Sequence, residues 1–339
     1  MPEMTFSKAL NTGLRKAMER DPKVVLMGED IGRLGGVFRI TDGLQKDFGA
    51  HRVIDTPLAE SGIMGTAIGM AYRGYRPVVE VQFDGFVYPA FDQIVSQVAK
   101  LHYRSRGTVK VPITLRLPFG GGIGSPEHHS ESPEAYFAHT AGLRVIAPSN
   151  PQDAYTMIQE AIACDDPVVF LEPKRRYHDK GQVDEALVDS VGGLGLGSAR
   201  VAVEGTDVTL VAYGPMVKTC LDVAVAAEDE GVSVEVIDLR SLSPVDYGPL
   251  VASVRKTGRL VIAHEASRTL GLGAELAAEI TERCFYHLEH APVRVTGYDV
   301  PYPPSKLEFY HLPDLDRILD GVDRAMDRPN SLSSMEDDA

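Results

Sequence analysis

The sequence predicts an α/β protein of two domains, each a mostly parallel sheet flanked by helices. Two observations carry that prediction. Short apolar runs alternate with segments of helical spacing along most of the chain, the pattern of strand and helix repeats in a parallel sheet. That alternation lapses once, from 174 to 205, where Lys-Arg-Arg-Tyr, several acids and Gly192-Gly-Leu-Gly-Leu-Gly197 replace it. The expected organisation is therefore a first domain over 1–185, a linker over 186–205, a second domain over 206–328 and a loose tail over 329–339. With 339 residues, 44% of them hydrophobic, the chain can fill two cores.

The elements follow in order. Phe6, Leu10, Leu14 and Met18 recur every four residues and predict a helix over 5–20. An apolar strand over 24–27 then stops at Gly28-Glu-Asp-Ile-Gly32, and a second over 52–54 stops at Asp55-Thr-Pro. Glu60 opens the next helix, whose body carries Gly62, Gly65 and Gly69. Glycine inside a helix costs about 1 kcal/mol against alanine, so three so close together imply that a second helix or a ligand must come near. A strand over 78–82 leads through Phe83-Asp-Gly-Phe86 to a helix with Phe91, Ile94, Val95, Val98 and Leu101 on one face. The strand over 112–117 opens into a glycine-rich loop, Gly120-Gly-Gly-Ile-Gly124, that carries His128 and His129. A strand over 143–146, a helix started by Asn150-Pro151 and a strand over 168–171 complete the first domain. The second half repeats the alternation, with strands over 208–212, 232–237, 260–264 and 293–296 and a last helix from about 314 to 326. Its polar loop signals, Tyr213-Gly214, Asp238-Leu-Arg240-Ser and His264-Glu265, form no constellation in sequence, so a packing and assembly role is expected there.

Composition narrows the function. A net charge of −14 argues against nucleic acid as a partner. Cys164, Cys220 and Cys284 lie far apart, which indicates neither a disulfide framework nor a zinc site. The start has neither an apolar signal core nor an Arg-rich face, and no stretch suits a membrane span, so a cytoplasmic protein is expected. Ligands of parallel sheets sit at the carboxyl ends of strands. Glu29, Glu60 and the His128-His129 pair all fall at such ends. Glu60 alone reads equally well as an acid favoured by the helix dipole, and Glu29 with Asp30 as solvated turn residues. The glycine run lacks the Lys-Ser/Thr ending of a P-loop and is weak evidence for phosphate binding.

Taken together, Gly28-Glu-Asp, Asp55-Thr-Pro-Leu-Ala-Glu, Gln82-Phe-Asp-Gly-Phe, Pro89-Ala-Phe-Asp-Gln-Ile, His129-Ser-Glu-Ser-Pro-Glu-Ala, Glu172-Pro-Lys, Val236-Ile-Asp-Leu-Arg-Ser-Leu and Gly297-Tyr-Asp-Val-Pro-Tyr-Pro resemble the β subunit of the thiamine-diphosphate-dependent 2-oxoacid dehydrogenases, from about residue 4 to residue 326. The resemblance implies a transketolase-like pyrimidine-binding domain followed by a transketolase C-terminal-like domain. Glu60, Gly65 and Gly69 look like the family's Glu-x4-Gly-hydrophobic-x-x-Gly element, with Thr66 where an apolar residue is usual.

By that resemblance Glu60 hydrogen-bonds N1' of the coenzyme's pyrimidine, which requires an apolar, closely packed setting that keeps a proton on or near its carboxyl. Phe86 would stack on the ring, Leu58 would line the same pocket, and Gln82 would stand on the substrate side. His129 would face substrate and lipoyl group and supply a proton during acyl transfer. Glu29 would relay protons around Glu60. A potassium site would fall on Ile113, Ala161, Cys164 and Asp166, chiefly through carbonyl oxygens. No Gly-Asp-Gly stretch occurs, so the magnesium and diphosphate half is expected on an α subunit, in a heterotetramer of two α and two β chains that serves a dihydrolipoyl acyltransferase. The loop at 120–124, the run 129–139 and Glu172-Pro-Lys-Arg-Arg-Tyr-His resemble branched-chain 2-oxoacid enzymes more than pyruvate or acetoin ones.

Overall fold

The computed structural model describes residues 1–189 and 195–328. The tail over 329–339 and part of the expected linker, 190–194, lie outside the described residues. Helix Phe6–Arg20 starts where Thr5 accepts the Lys8 N–H at 3.2 Å, and it buries the four residues whose spacing predicted it. It lies against helix Pro151–Ala163, which is capped by Asn150 accepting the Asp153 N–H at 3.0 Å.

The first sheet has seven strands in the order Ser241–Ser243, Arg144–Ile146, Val168–Pro173, Thr114–Phe119, Arg76–Glu80, Val24–Gly28 and Val53–Asp55. All neighbours are parallel except Ser241–Ser243, which runs antiparallel to Arg144–Ile146. Val24–Gly28 and Thr114–Phe119 are buried along their whole length, because helices cover both faces. The second sheet has five strands in the order Val293–Gly297, Leu260–Ser267, Val208–Ala212, Val234–Asp238 and Arg200–Val203, the last of them antiparallel.

Three departures from the expected elements have physical causes. The strand expected over 78–82 ends at Glu80, so Gln82 stands free of the sheet in the following turn. The helix expected around Phe91 is a composite, a 3-10 turn Asp84–Ala90, a π turn Gln93–Val98 and an α turn Ala99–Arg104, with Pro89 inside the first piece. Within the expected linker and at the edge of the second half, Arg200–Val203 and Ser241–Ser243 are strands. A buried charge cluster fixes both: Arg200 pairs with Asp153 at 3.3 Å and Asp238 at 3.0 Å, and Arg240 with Asp153 at 3.2 Å. Ser241–Ser243 is thereby carried across to close the first sheet. One apolar core consequently runs through both sheets, with Leu117, Phe119 and Val145 in the same cluster as Val211, Ile237 and Leu239.

A candidate cofactor and substrate site

The carboxyl ends of Val24–Gly28, Val53–Asp55, Arg76–Glu80 and Thr114–Phe119 lie side by side and bring the candidate residues together. Asp55 ties two of these ends, since its carboxylate accepts the Gly32 N–H at 2.5 Å while Thr56 N–H donates to the Gly28 carbonyl at 2.9 Å. That tie places Glu29 beside Glu60, the first residue of helix Glu60–Tyr72. Burial, then the Glu60 carboxylate and Asp30, push the Glu29 carboxyl above its ordinary range. Glu29 Oε1 is enclosed and has no hydrogen-bond partner among the described residues. Gln82 Nε2 donates to the Glu29 carbonyl at 3.2 Å and to Asp30 Oδ2 at 3.3 Å, so it borders the same pair.

His129 closes the other side. It ends the turn Glu127–His129, with its ring 4.3 Å from Phe83 and 5.1 Å from Phe86, centroid to centroid. Gly85 is what lets the two segments approach: a Cβ there would stand 2.5 Å from the His128 carbonyl oxygen. The His129 Nδ1 is enclosed and unpartnered. Burial, then His128 and Lys174, push the imidazole below its ordinary range, which leaves it neutral at pH 7. The expected proton supply from His129 is adjusted accordingly, to the N–H of a neutral ring.

Beneath these residues lies a charge network that sequence reasoning missed. Arg116 grips Glu172 with bonds of 2.6 and 3.0 Å and also pairs with Glu80. Tyr177 donates to Glu172 at 2.6 Å. Lys174 and Asp84, both wholly buried, pair at 2.6 Å, and Asp84 Oδ2 accepts the Glu131 N–H at 2.7 Å. Asp84 and Lys174 stood in the motifs that carried the resemblance, yet nothing in a motif shows that two such residues meet 90 positions apart.

In keeping with the weak case for phosphate, the glycine-rich loop spends its N–H groups within the chain: Gly121 N–H donates to Glu265 at 2.9 Å, Gly124 N–H to Glu308 at 3.0 Å, and Gly122 N–H to Tyr302 and Glu308, each at 3.3 Å. Several expectations are corrected. The polar residues of the second half do converge, because Tyr213 donates to the buried Glu134 at 2.6 Å and Glu265 pairs with Arg175 at 2.5 Å. The close packing expected around Glu60 is missing among the described residues: Glu60 is half-buried, and a Cβ at Gly65 or Gly69 would meet none of their atoms within 4 Å. Only Ile63, Met64, Ala67 and Ala71 of that helix are buried. Leu58 is 80% exposed.

At the expected potassium position the Ile113 carbonyl accepts the Val168 N–H at 2.9 Å and the Ala161 carbonyl the Cys164 N–H at 3.3 Å. The Cys164 carbonyl accepts from Arg76 at 3.0 Å, and Asp166 accepts from Arg144 at 3.0 Å. Among the described residues no group of three His, Cys, Asp or Glu side chains is placed to hold a metal ion, and no helix is long and apolar enough to cross a membrane.

Residues 2–180 match the model of the transketolase pyrimidine-binding domain, and residues 197–318 that of the transketolase C-terminal domain. A pyruvate dehydrogenase E1 component subunit beta of Leifsonia xyli is 59% identical, over 94% of each chain. The chain belongs to the E1 β-subunit family of the 2-oxoacid dehydrogenases. Within that family, the 3-methyl-2-oxobutanoate dehydrogenase subunit beta of Mycobacterium tuberculosis is 53% identical over 96% of this chain and 93% of its own. The 2-oxoisovalerate dehydrogenase subunit beta of Pseudomonas aeruginosa is 47% identical over 96% and 95%. A solved split-gene transketolase, described as an inactive beta4 tetramer, shares the fold of this E1 β-type chain with a TM-score of 0.75 at 23% identity, covering 96% of this chain and 99% of that one.

Proposed function

We propose that this chain is the β subunit of a branched-chain 2-oxoacid dehydrogenase E1 component, and that it holds the pyrimidine half of thiamine diphosphate at Glu60 and Glu29. The observation that carries the reading is the pair of neighbouring carboxylates at the strand ends, one with an unpartnered buried oxygen, together with a histidine packed against two phenylalanines on the segment that follows the adjacent strand. Such residues fit the group: a helix-end carboxyl at Glu60 can meet a ring nitrogen, Glu29 beside it has a carboxyl whose pKa burial and then neighbouring charge raise, and aromatic faces suit a flat heterocycle. When bound, thiamine diphosphate supplies the carbon nucleophile that adds to the keto group of the 2-oxoacid. Glu60 holds the pyrimidine and shares a proton at N1', Glu29 passes protons to Glu60, and Phe86, with Leu58 at the rim, keeps water from the ring. Gln82 orients the substrate. His129 donates its N–H to the lipoyl group as the acyl chain is transferred.

The open glycine face of helix Glu60–Tyr72 supports an α partner that completes the site and supplies the magnesium and diphosphate half, in a tetramer of two α and two β chains. Such an E1 passes its acyl group to a dihydrolipoyl acyltransferase. We retain a pyrimidine-binding unit over 1–185 and a C-terminal unit over 206–328, joined through 186–205. Potassium at Ile113, Ala161, Cys164 and Asp166 would share the Cys164 carbonyl with Arg76. The branched-chain assignment rests on the loop at 120–124, the run 129–139 and Glu172-Pro-Lys-Arg-Arg-Tyr-His, whereas the Leifsonia relative favours pyruvate. Co-purifying the α chain and assaying the pair with lipoyl acceptor on 4-methyl-2-oxopentanoate and on pyruvate decides between them. A higher kcat/KM on pyruvate overturns the branched-chain assignment, and turnover by the chain alone overturns the need for an α partner.

A further inference from the structure

The loop that leads to His129 is held from the second half of the chain. Gly120, Gly122 and Gly124 have φ of +83°, +88° and +72°, and this alternation turns successive N–H groups toward one concave side, an arrangement that ordinarily receives an anion. Here two carboxylates of the same polypeptide take that place. Glu308, 4% exposed, accepts Gly124 N–H with Oε1 and Gly122 N–H with Oε2, and Tyr302 braces Oε2 with a bond of 2.9 Å. Glu265, also 4% exposed, accepts Gly121 N–H and is held by Arg175. The fit requires glycine, because a Cβ at Gly121 would stand 2.0 Å from the Tyr302 hydroxyl. At its far end the same loop is fixed by Gly120 N–H on the Glu131 carbonyl at 2.8 Å and by Asp84 on the Glu131 N–H. His128 and His129 hang between these two anchorages.

We infer that Glu308, seated in the N–H cradle of Gly122 and Gly124 and seconded by Glu265, is a positioning residue for His129, so that the second half of the chain shapes the active site. The carboxylate touches no reacting atom. It acts as a built-in anion that holds the loop in the one conformation in which His129 packs against both Phe83 and Phe86. This rests on the role proposed above for His129 in acyl transfer, and the test separates the two.

The test uses the reconstituted α–β complex carrying Glu308→Ala or Glu308→Gln, with sodium formate as a replacement carboxylate. Amide hydrogen exchange across 120–131 reads the cradle directly and does not depend on activity. Glu308→Ala is expected to speed exchange at Gly122 and Gly124, and formate to slow it again. Reductive acylation of a lipoyl domain should fall by roughly ten- to a hundredfold, with formate restoring it, since small misplacements of catalytic groups carry penalties of that size. The KM for thiamine diphosphate should stay put. Glu308→Gln, which keeps one acceptor, should lose less. Unchanged exchange in Glu308→Ala overturns the cradle, and faster exchange with normal acylation overturns its positioning role. Acylation lost alongside thermal stability, with formate restoring neither, reduces Glu308 to a structural residue and overturns the inference as well. Full activity of His129→Ala with formate-reversible exchange in Glu308→Ala would instead strike at the role of His129 and leave the cradle standing.

Discussion

At the scale of single residues the site depends on where protons can rest. Burial first, and then the neighbouring Glu60 and Asp30 carboxylates, raise the pKa of Glu29, so Glu29 keeps its proton more readily than a free carboxyl would. Glu60→Gln removes the proton-sharing group while preserving shape. It is expected to lower 2-oxoacid turnover by the α–β complex on the order of 10² to 10⁴, measured by dye reduction. A loss of less than about threefold would mean that the carboxyl is only a helix-end acid. His129 has its pKa pushed down by burial and stays neutral at pH 7, and its Nδ1 is enclosed without a hydrogen-bond partner while its ring packs on Phe83 and Phe86. His129→Ala should impair reductive acylation of the lipoyl group more than decarboxylation, by roughly tenfold or more in a two-step assay. Equal losses in both steps would contradict a role confined to transfer. Glu60, Glu29 and His129 were legible in sequence as acids and histidines at strand ends. The Arg116–Glu80–Glu172 and Lys174–Asp84 pairs were not, because which charged residues meet in a core depends on strand order.

At the scale of elements, helix Glu60–Tyr72 is the instructive one. Its buried face is ordinary, Ile63, Met64, Ala67 and Ala71 at helical spacing, while its opposite face offers glycines to open space. A glycine whose missing Cβ would have open space weakens its own helix without relieving any clash among the described residues, so the return lies in what docks there. Gly65→Ala is therefore expected to raise the stability of the isolated chain by about 1 kcal/mol in a urea titration. The same change should weaken association with the α chain, seen as a shift toward free subunits in analytical ultracentrifugation. Were association unaltered, the open face would have no part in assembly. The glycine loop teaches the converse lesson. Its composition suggested a weak case for phosphate, but its N–H groups are already spent on carboxylates from more than 140 residues away.

At the scale of the whole molecule the two sheets are joined by buried ionisable groups as well as by apolar ones. Glu134, on the first-half helix Glu134–Ala138, is wholly buried and accepts from Tyr213 of the second half. Burial, with Glu265 and Asp84 nearby, pushes its carboxyl from 4.5 up to about 7. A carboxyl with a raised folded pKa gives stability that is fully present below its unfolded value and is lost as pH rises through the folded one. The stability of the chain should thus decline between about pH 4.5 and 7 partly through Glu134. Glu134→Gln, which keeps an acceptor for Tyr213, should flatten that decline and be more stable than wild type at pH 8, by up to roughly 3 kcal/mol, and about equal to it at pH 4. Urea midpoints at the two pH values measure this, and an identical pH dependence in both proteins would show that Glu134 is ionised in the fold.

What the sequence determined by itself is most of the local structure. Apolar periodicity and caps such as Asn150-Pro151 set the elements, and the order of those elements required parallel sheets with sites at their carboxyl ends. The tertiary structure alone decided which side chains meet across that order. It sent Ser241–Ser243 to the far edge of the first sheet, set Asp84 on Lys174, and filled the glycine loop with Glu265 and Glu308. A strand forms from the residues along it, whereas a buried charge finds its partner through the whole packing of the chain, and one strand's change of place re-pairs every such group.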